Sequence, residues 1–355
     1  MPEQKNQHYV PVLILKNFSE DSVNTNLLVI KTNKYVNNIP IKDQSSEDYF
    51  YGKDKVVEKS LAELEKIFGL LLKEIAERDY LPNYGTFEHF LLNLFIVSTS
   101  ARTLYSGEAT NEQIDKMCSI VFSHHDKFDD FAKNYKVGIE TPSAFSLGIA
   151  VTCVKYIADL EYKILDNKTK SEFIISDNPV IKYNKFLLKR NWPGSHVGYG
   201  TLGIQFYCPL SPTKCLVLYD RNCYKFGNRK DRFIAVNLDS DVQAINELQF
   251  INANEVVYFR TQDQANLITQ IYEKLSSHRR DEKVKVREYV QQGSTKEKGS
   301  SLVMSSAANI EIDLKLSFLK FTKKSNQIKL SNRAVQFRSD KILQMMKEDR
   351  ETDHN

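Results

Sequence analysis

The chain has 355 residues, a formal net charge of +4, and 41% hydrophobic and 26% charged residues. These values are typical of a soluble globular protein with one elaborated domain or two smaller ones. No apolar run reaches the roughly 20 residues of a membrane span, and the first residues lack the apolar stretch of a secretory signal. The five cysteines are scattered and include no CxxC pair. We therefore expect reduced thiols, no membrane association and a cytoplasmic location.

The first half of the chain is predicted to be largely helical. Apolar residues recur at helical spacing over 55–78 and 86–105, and further helices are expected over 111–135 and 141–165. A short strand is expected only at 27–30. The remaining segments before residue 165 contain turn residues, which separate the helices.

The second half has the shorter apolar runs that are typical of strands. Strands are predicted at 172–176, 203–208, 214–219, 233–238 and 256–259, with helices at 240–253 and 262–277. This order predicts an α+β fold, in which a helical N-terminal half is followed by a mixed or antiparallel sheet with flanking helices.

The domain organisation follows from composition. Residues 1–277 are expected to form a single α+β domain, with a helical part over about 1–165 and a sheet part over about 172–277. Residues 278–309 are rich in Lys, Glu, Gly, Gln and Ser, which predicts a flexible linker. Residues 310–355 are predicted to be a basic, partly docked C-terminal extension.

The segment 180–232 carries ten Lys and Arg residues against two Asp residues, and aromatic residues run through it. Cations interleaved with aromatic rings are typical of surfaces that bind a phosphate backbone. Lys189 and Arg190 are its first adjacent cations, and we expect them to bind substrate. The alternative is ordinary, uneven solvation of the surface by charged residues.

Arg102 lies on the apolar face of the second predicted helix. A guanidinium that is turned toward a core requires a carboxylate or a phosphate, because burying an unpaired charge is very costly. Glu58 and Glu65 are seven residues apart, so they stack on one side of the first helix and are candidate partners. Asp177 is a third candidate. The alternative is a structural Arg–Glu pair that joins two helices.

Asp177 follows a predicted strand in the sequence Ser176-Asp-Asn-Pro179. Strand ends often present catalytic or ligand-binding side chains. The same tetrapeptide is also a turn signal, in which the Asp carboxylate accepts backbone N–H groups. His8, alone in a polar N-terminal segment, is a further candidate because imidazole titrates near neutral pH.

Several short motifs follow one another in a definite order. They are Gln7-His-Tyr-Val-Pro11, Phe50-Tyr51 before a Glu-bearing helix, Ala101-Arg-Thr103, Ile175-Ser-Asp-Asn-Pro-Val180, Gly203-Ile-Gln205, and Pro209-Leu-Ser-Pro212 before a helix that bears Asn246. Together they resemble the bacterial family of unknown function DUF4238, over about residues 7–277. One departure is Ala101-Arg-Thr-Leu104, where Arg-Thr-Pro would be expected.

The resemblance carries no activity, but it implies which residues matter. The residues at the family's signature positions are His8, Glu58 or Glu65, Arg102, Asp177, Gln205 and Asn246. Packing alone would favour apolar, Gly or Pro signatures. A signature this polar therefore predicts that its residues converge on one site.

These patterns lead to one principal functional hypothesis, a phosphodiester hydrolase, most simply a nuclease acting on DNA or RNA in bacterial defence or as a toxin. Asp177 with Glu58 or Glu65 would bind Mg²⁺ or Mn²⁺ or act as the base, and His8 would be a general acid or base. Arg102 would hold the scissile phosphate. The substrate-binding residues would be Asn178, Lys189, Arg190, Gln205 and Asn246. The alternative is a non-catalytic module that binds nucleic acid or a nucleotide and contains a structural polar cluster.

Overall fold

The computed structural model describes residues 5–124, 126–128, 130, 134–290 and 301–352. Residues 291–300, in the middle of the predicted linker, lie outside these ranges. So do residues 125, 129 and 131–133, near the end of the third predicted helix. Within the described residues, no helix is both long enough and apolar enough to cross a membrane.

The helices cluster between residues 56 and 152 and recur after the main strands. They are α1 (Val12–Leu15), α2 (Val56–Arg78), α3 (Phe87–Ala101), α4 (Leu104–Ser123), α5 (Pro142–Thr152), α6 (Lys185–Lys189), α7 (Asp239–Asn252), α8 (Ala265–Leu275), α9 (Lys323–Gln327) and α10 (Asp340–Thr352).

The strands are short. They are β1 (Asn6–His8), β2 (Asn24–Val29), β3 (Lys34–Pro40), β4 (Ser46–Asp48), β5 (Glu161–Asn167), β6 (Ile175–Ser176), β7 (Ile181–Tyr183), β8 (Gln205–Pro209), β9 (Lys214–Tyr219), β10 (Tyr224–Phe226), β11 (Phe233–Val236), β12 (Val256–Phe259), β13 (Val284–Val290), β14 (Ser301–Ala307) and β15 (Leu319–Phe321).

Two larger sheets organise the protein. A five-stranded sheet has the order β11-β5-β9-β8-β7, and a four-stranded sheet has the order β3-β2-β12-β6. Only β11 and β5 pair in parallel, while the other neighbours in these two sheets are antiparallel. The predicted α+β class with mixed or antiparallel sheets is therefore confirmed.

The prediction of a helical first half is wrong in two places. Residues 6–48 contain the strands β1 to β4. Of these, β2 lies inside the four-stranded sheet, between β3 and β12. The fourth predicted helix ends at Thr152, and residues 161–167 form β5 instead. A short segment such as Tyr162–Leu165, with three apolar residues around Lys163, fits a buried strand as well as a helix, because periodicity over so few residues does not separate them.

Local sequence explains how the main helices begin. The Thr86 hydroxyl caps α3 by accepting the N–H of His89, and Thr103 caps α4 by accepting the N–H of Ser106. Pro142 occupies the first turn of α5, where its missing N–H costs nothing. Because α3 is buried nearly all round, it forms the centre of the helical part of the core.

The C-terminal part of the chain contains regular structure where a linker was predicted. β13 pairs with β14 in an antiparallel hairpin, and the Nζ of Lys116 on α4 donates to the carbonyl of Val284 at 2.7 Å. Further along, β15 pairs with β10, and the buried Arg338 donates to the carboxylate of Asp159. Non-local pairing, rather than composition, therefore determines the structure of this segment.

Candidate functional site

Arg102 is the centre of a buried polar cluster at the end of α3. Its guanidinium donates to Glu65 Oε1 at 2.5 Å, to the Tyr51 hydroxyl at 3.1 Å and to the main-chain oxygen of His8 at 2.6 Å. Only 4% of the Arg102 side chain is exposed, against 23% for Glu65. Glu65 of α2 is thus the carboxylate partner that a buried guanidinium requires. The contacts join β1, the loop before α2, α2 and α3.

Glu58 lies beside this pair but is bonded differently. Its Oε2 atom is buried and has no hydrogen-bond partner among the described residues. Burial raises the pKa of Glu58, although the nearby Arg102 lowers it. The raised pKa favours the protonated form of Glu58, and its buried oxygen is unused by the fold.

The His8 imidazole does not contact Arg102 through a described hydrogen bond. Its Nε2 atom lies 3.0 Å from the main-chain oxygen of Lys42. Burial lowers the pKa of His8, which favours the neutral ring. Because a carbonyl only accepts, Nε2 carries the proton, and Nδ1 is left as the acceptor.

Asp177 is fully occupied by backbone groups. One carboxylate oxygen accepts the N–H of Asn254 at 2.7 Å, and the other accepts the N–H groups of Glu255 at 2.7 Å and Val256 at 3.2 Å. The net effect of burial and these bonds is to raise the pKa of Asp177 to about 6, because burial outweighs the N–H donors. The carboxylate therefore accepts backbone N–H groups, as in the alternative for Asp177. The donors belong to residues 254–256 and not to the turn that contains Asp177 itself.

The neighbours of Arg102 and Asp177 nevertheless meet. The Thr103 hydroxyl lies 3.4 Å from Asn178 Oδ1, at the long end of the range for a hydrogen bond. This contact brings two of the signature segments side by side. The structure gives no hydrogen bond between Asp177 and Glu58, Glu65 or Arg102 among the described residues.

The three predicted amide ligands support the backbone. Asn178 Nδ2 donates to the carbonyl of Asn252. Gln205 accepts the N–H of Lys185 and donates to the Tyr207 hydroxyl. Amide side chains that form such hydrogen bonds stabilise buried chain segments. This structural role explains why they occur at signature positions, without any role in substrate binding.

Asn246 has the same kind of role. Its Oδ1 accepts the N–H of Ile174 at 3.0 Å, and its Nδ2 donates to the carbonyl of Glu172 at 2.8 Å. The residue is buried and lies on α7. The amide therefore anchors the chain that leads into β6, just ahead of Asp177.

The two predicted cationic ligands contact the C-terminal part of the chain. Lys189 lies 3.9 Å from Asp313. Arg190 donates to the carbonyls of Ser325 and Ile328 and stacks on Phe186, with 4.3 Å between the guanidinium carbon and the ring centroid. Both cations thus stabilise packing of a segment that was predicted to be only partly docked.

Two of the three predicted metal ligands, Glu65 and Asp177, are engaged separately. Glu65 pairs with Arg102 and Asp177 binds backbone N–H groups, so neither offers a vacant pair of oxygens to a shared ion. Among the residues that the structure describes, no three His, Cys, Asp or Glu side chains are grouped so that they could hold a metal ion. These side chains do not fit the predicted Mg²⁺ or Mn²⁺ site, and metal dependence stays a prediction.

A basic cleft of about 760 Å³, which the sequence alone does not predict, lies beside the five-stranded sheet. Six exposed cationic side chains line it: Arg221, Lys225, Arg229, Lys320, Lys323 and Lys324. Three come from the predicted basic segment and three from residues 320–324, nearly a hundred residues later. The run Lys320-Phe-Thr-Lys-Lys324 was the available signal, but only the pairing of β10 with β15 brings the two groups together.

A buried lysine stabilises the turn at one side of the basic cleft. Lys163 Nζ donates to the carbonyls of Phe226 at 3.1 Å, Asn228 at 2.5 Å and Asp231 at 2.7 Å. Burial lowers the pKa of Lys163. Three carbonyl acceptors compensate the buried ammonium group and fix the turn that carries Arg229.

The sheets, the buried α3 and the polar cluster around Arg102 define an α+β protein with an internal polar signature. The sequence profile of the family described as a protein of unknown function, DUF4238, matches residues 6–263, and the chain belongs to this family. The predicted resemblance is thus confirmed. No curated protein and no solved structure matches the chain. Lys320, Lys323 and Lys324 lie beyond the matched residues.

Proposed function

We propose that the protein binds nucleic acid through the basic cleft. The observation that carries this proposal is the cross-strand pair of Lys225 and Lys320, which lie directly opposite each other where β10 meets β15. Like charges in this position repel and destabilise an antiparallel pair unless an anion neutralises them. A phosphate backbone is such an anion.

The surrounding charges support the same ligand. Among the described residues, no carboxylate forms an ion pair with any of the six cations of the basic cleft, although Lys324 donates to the side-chain oxygen of Asn222 at 2.8 Å. Glu161 is the acidic residue in the lining. A cleft with this charge balance raises the local concentration of polyanions.

An aromatic ring in the lining of the basic cleft favours a single strand. Phe321 contributes a ring that is 36% exposed, next to Lys320 on the same strand. An exposed ring beside a row of cations provides stacking for an unpaired base together with contacts to its backbone. A duplex would offer phosphates but no free base faces to this ring.

The test is fluorescence anisotropy with labelled single-stranded DNA and RNA of about 12 nucleotides, and with a duplex of the same length. Titrations between about 50 and 200 mM salt should give a log–log slope near −0.7 for each phosphate that is neutralised on a single strand. Lys225→Glu combined with Lys320→Glu should weaken binding at least about tenfold, which corresponds to about 1.4 kcal/mol.

The control carries the same change of charge elsewhere. Lys31 and Lys34 are exposed on the connection from β2 to β3, and their double change to Glu alters the net charge equally. Binding that falls equally in both double variants would reflect total charge and would remove the basic cleft as the site. Absence of binding to every nucleic acid would end the proposal.

A second candidate function is phosphodiester hydrolysis at the Arg102 cluster, most simply as a nuclease. The favouring observation is the buried, unpartnered Oε2 of Glu58, whose raised pKa makes it a candidate general acid. In this proposal Arg102 stabilises the phosphate, and the free Nδ1 of His8 accepts a proton. Growth arrest on expression in bacteria would be the cellular consequence of such an activity, whether in defence or as a toxin.

The test of hydrolysis is a cleavage assay on single- and double-stranded DNA and RNA, with and without Mg²⁺ or Mn²⁺. Glu58→Gln keeps the size of the side chain but removes the titrating proton. It should abolish cleavage while leaving anisotropy-detected binding at the basic cleft unchanged. Cleavage that survives Glu58→Gln would exclude this role, and stable binding without any cleavage would leave the binding function alone.

A further inference from the structure

We propose that a second cleft, built from the β13–β14 hairpin and the segment around Trp192, binds a nucleotide. The lining includes Trp192, His196, Lys285, Arg287, Tyr289 and Arg333 and encloses about 800 Å³. This nucleotide cleft shares no lining residue with the basic cleft. The inference therefore stands independently of nucleic-acid binding there.

The alternation of β13 explains why its cations point into the nucleotide cleft. Successive strand residues face opposite sides of a sheet, so Lys285, Arg287 and Tyr289 share one face. The opposite face packs on α4, where Val284 is buried and Glu288 lies 2.8 Å from the imidazole of His124. The hairpin thus packs on α4 with one face and presents the face that carries Lys285, Arg287 and Tyr289 to the cleft.

The charge of the nucleotide cleft indicates an anionic ligand. Among the described residues, Lys285, Arg287 and Arg333 form no ion pair with a carboxylate, and all three side chains are exposed. Glu311 is the acidic residue of the lining. Two arginines can bind phosphate oxygens in the planar, two-pronged manner that guanidinium groups favour.

The same lining offers surfaces for a planar ring. Trp192 and Tyr289 contribute aromatic rings, while Leu302 and Met304 add apolar area on β14. Rings stack on nucleobases with an energy of about 1 to 3 kcal/mol per base. A volume of about 800 Å³ also falls in the range of small-ligand pockets, roughly 300 to 1,000 Å³.

Trp192 is held in a defined position. The His196 imidazole lies 2.8 Å from the main-chain oxygen of Trp192, and the indole edge lies against Gly194. A Cβ atom at Gly194 would come within 2.6 Å of the indole Nε1. Only glycine at position 194 leaves room for the indole ring where it lies. The ring is therefore positioned before any ligand binds.

The combination of features selects the ligand class. Phosphate alone would not use the rings, and an apolar ligand would leave the cations of the hairpin uncompensated. An aromatic base that carries phosphates satisfies both, and the side chain of Asn332 in the lining can bind its polar edge.

Trp192 is the single tryptophan of the chain, so its fluorescence reports on the nucleotide cleft directly. The full-length protein is titrated with ATP and GTP, with adenosine as the ring alone and with tripolyphosphate as the charge alone. Saturable quenching by a nucleotide is expected, with binding at least about tenfold weaker for adenosine and for tripolyphosphate. Calorimetry gives a second readout.

Matched variants separate this site from general charge. Arg287→Ala with Arg333→Ala should weaken nucleotide binding at least about tenfold. Arg221→Ala with Arg229→Ala removes the same charge from the basic cleft and should leave nucleotide binding unchanged. Tyr289→Ala, at an exposed position, should weaken the nucleotide but not tripolyphosphate.

Three results would overturn the proposal. One is the absence of both fluorescence change and heat with every nucleotide. Another is equally tight binding of tripolyphosphate, which would make this a polyphosphate site. The third is equal loss of binding in both arginine double variants. None of these results bears on oligonucleotide binding to the basic cleft, so failure of either proposal is recognised separately.

Discussion

Arg102 lies 2.5 Å from Glu65 and joins the end of α3 to α2 inside the protein. The same guanidinium holds the main-chain oxygen of His8 and the hydroxyl of Tyr51. A buried ion pair adds little stability compared with well-packed apolar residues, but losing one partner leaves an uncompensated charge and unpaired acceptors. The hydrogen bonds of the cluster thus explain the polar family signature on structural grounds. The buried Oε2 atom of Glu58 still has no hydrogen-bond partner among the described residues.

Arg102→Ala should lower the free energy of unfolding by about 3 to 5 kcal/mol, because Glu65 and the His8 carbonyl lose their buried donor. Urea denaturation followed by circular dichroism measures this difference. Arg78→Ala is the control, since Arg78 pairs with Glu74 on the exposed face of α2 at 3.0 Å. It should cost less than about 0.5 kcal/mol. Equal effects of the two variants would contradict the structural role of Arg102.

Asp177 gives the protein a distinctive dependence on pH. Its pKa is raised from the ordinary 3.8 to about 6, so the folded protein binds this proton more tightly than the unfolded chain does. The contribution is fully present below about pH 4 and is lost as the pH rises through about 6. The rise in the pKa of Asp177 from 3.8 to about 6 corresponds to roughly 3 kcal/mol.

Asp177→Asn should destabilise the protein at every pH, because the new amide turns an N–H toward a backbone N–H of the 254–256 turn. The difference from wild type should be greater at pH 4 than at pH 7, and denaturation at both values measures it. Asp21→Asn should show the opposite trend, since the backbone N–H groups of Asn24 and Val23 hold the pKa of Asp21 below its usual range. Stability that Asp21 provides is present above its usual pKa and is lost as the pH falls. Parallel curves for the two variants would exclude the assignment for Asp177.

Lys320→Glu should affect stability and binding in opposite directions. It replaces the like-charge pair with Lys225 by an opposite-charge pair, which should raise the free energy of unfolding by about 0.2 to 1 kcal/mol. The same change should weaken oligonucleotide binding. Arg229→Glu lies in the basic cleft without a cross-strand partner and should weaken binding without stabilising the fold. A loss of stability in Lys320→Glu would show that the repulsion is not a feature of the free protein.

Much of the Arg102 cluster could be predicted because helical spacing and the cost of a buried charge both act over short distances in sequence. The pattern placed Arg102 toward the core and offered Glu65 as one of three candidate partners, and the structure shows the pair with Glu65. Asp177 was harder, since its acceptor role depends on a turn at 254–256 that lies far along the chain.

The clefts could not be predicted, because strand pairing between distant segments creates them. β10 meets β15, and β13 pairs with β14 in a segment whose composition indicates a linker. The composition of a segment shows how well its side chains are solvated. Whether the segment forms a strand depends also on a partner strand elsewhere in the chain, which no local pattern shows. The basic segment 180–232 was therefore only half of the basic cleft, and Lys189 and Arg190 proved to contact the C-terminal segment instead.

Lys163→Met tests how the turn of the basic cleft is held. The substitution leaves the carbonyls of Phe226, Asn228 and Asp231 without the ammonium donor, and the buried acceptor among them, that of Phe226, costs about 1 to 3 kcal/mol when it is unpaired. We expect the free energy of unfolding to fall by a few kcal/mol and amide exchange over 226–231 to accelerate. Lys168→Met, at a side chain that is 55% exposed, is the control and should change neither quantity appreciably. Unchanged amide exchange in Lys163→Met would mean that the neighbouring strands alone hold the turn that carries Arg229. Accelerated exchange together with weaker oligonucleotide binding would link the buried lysine to the basic cleft.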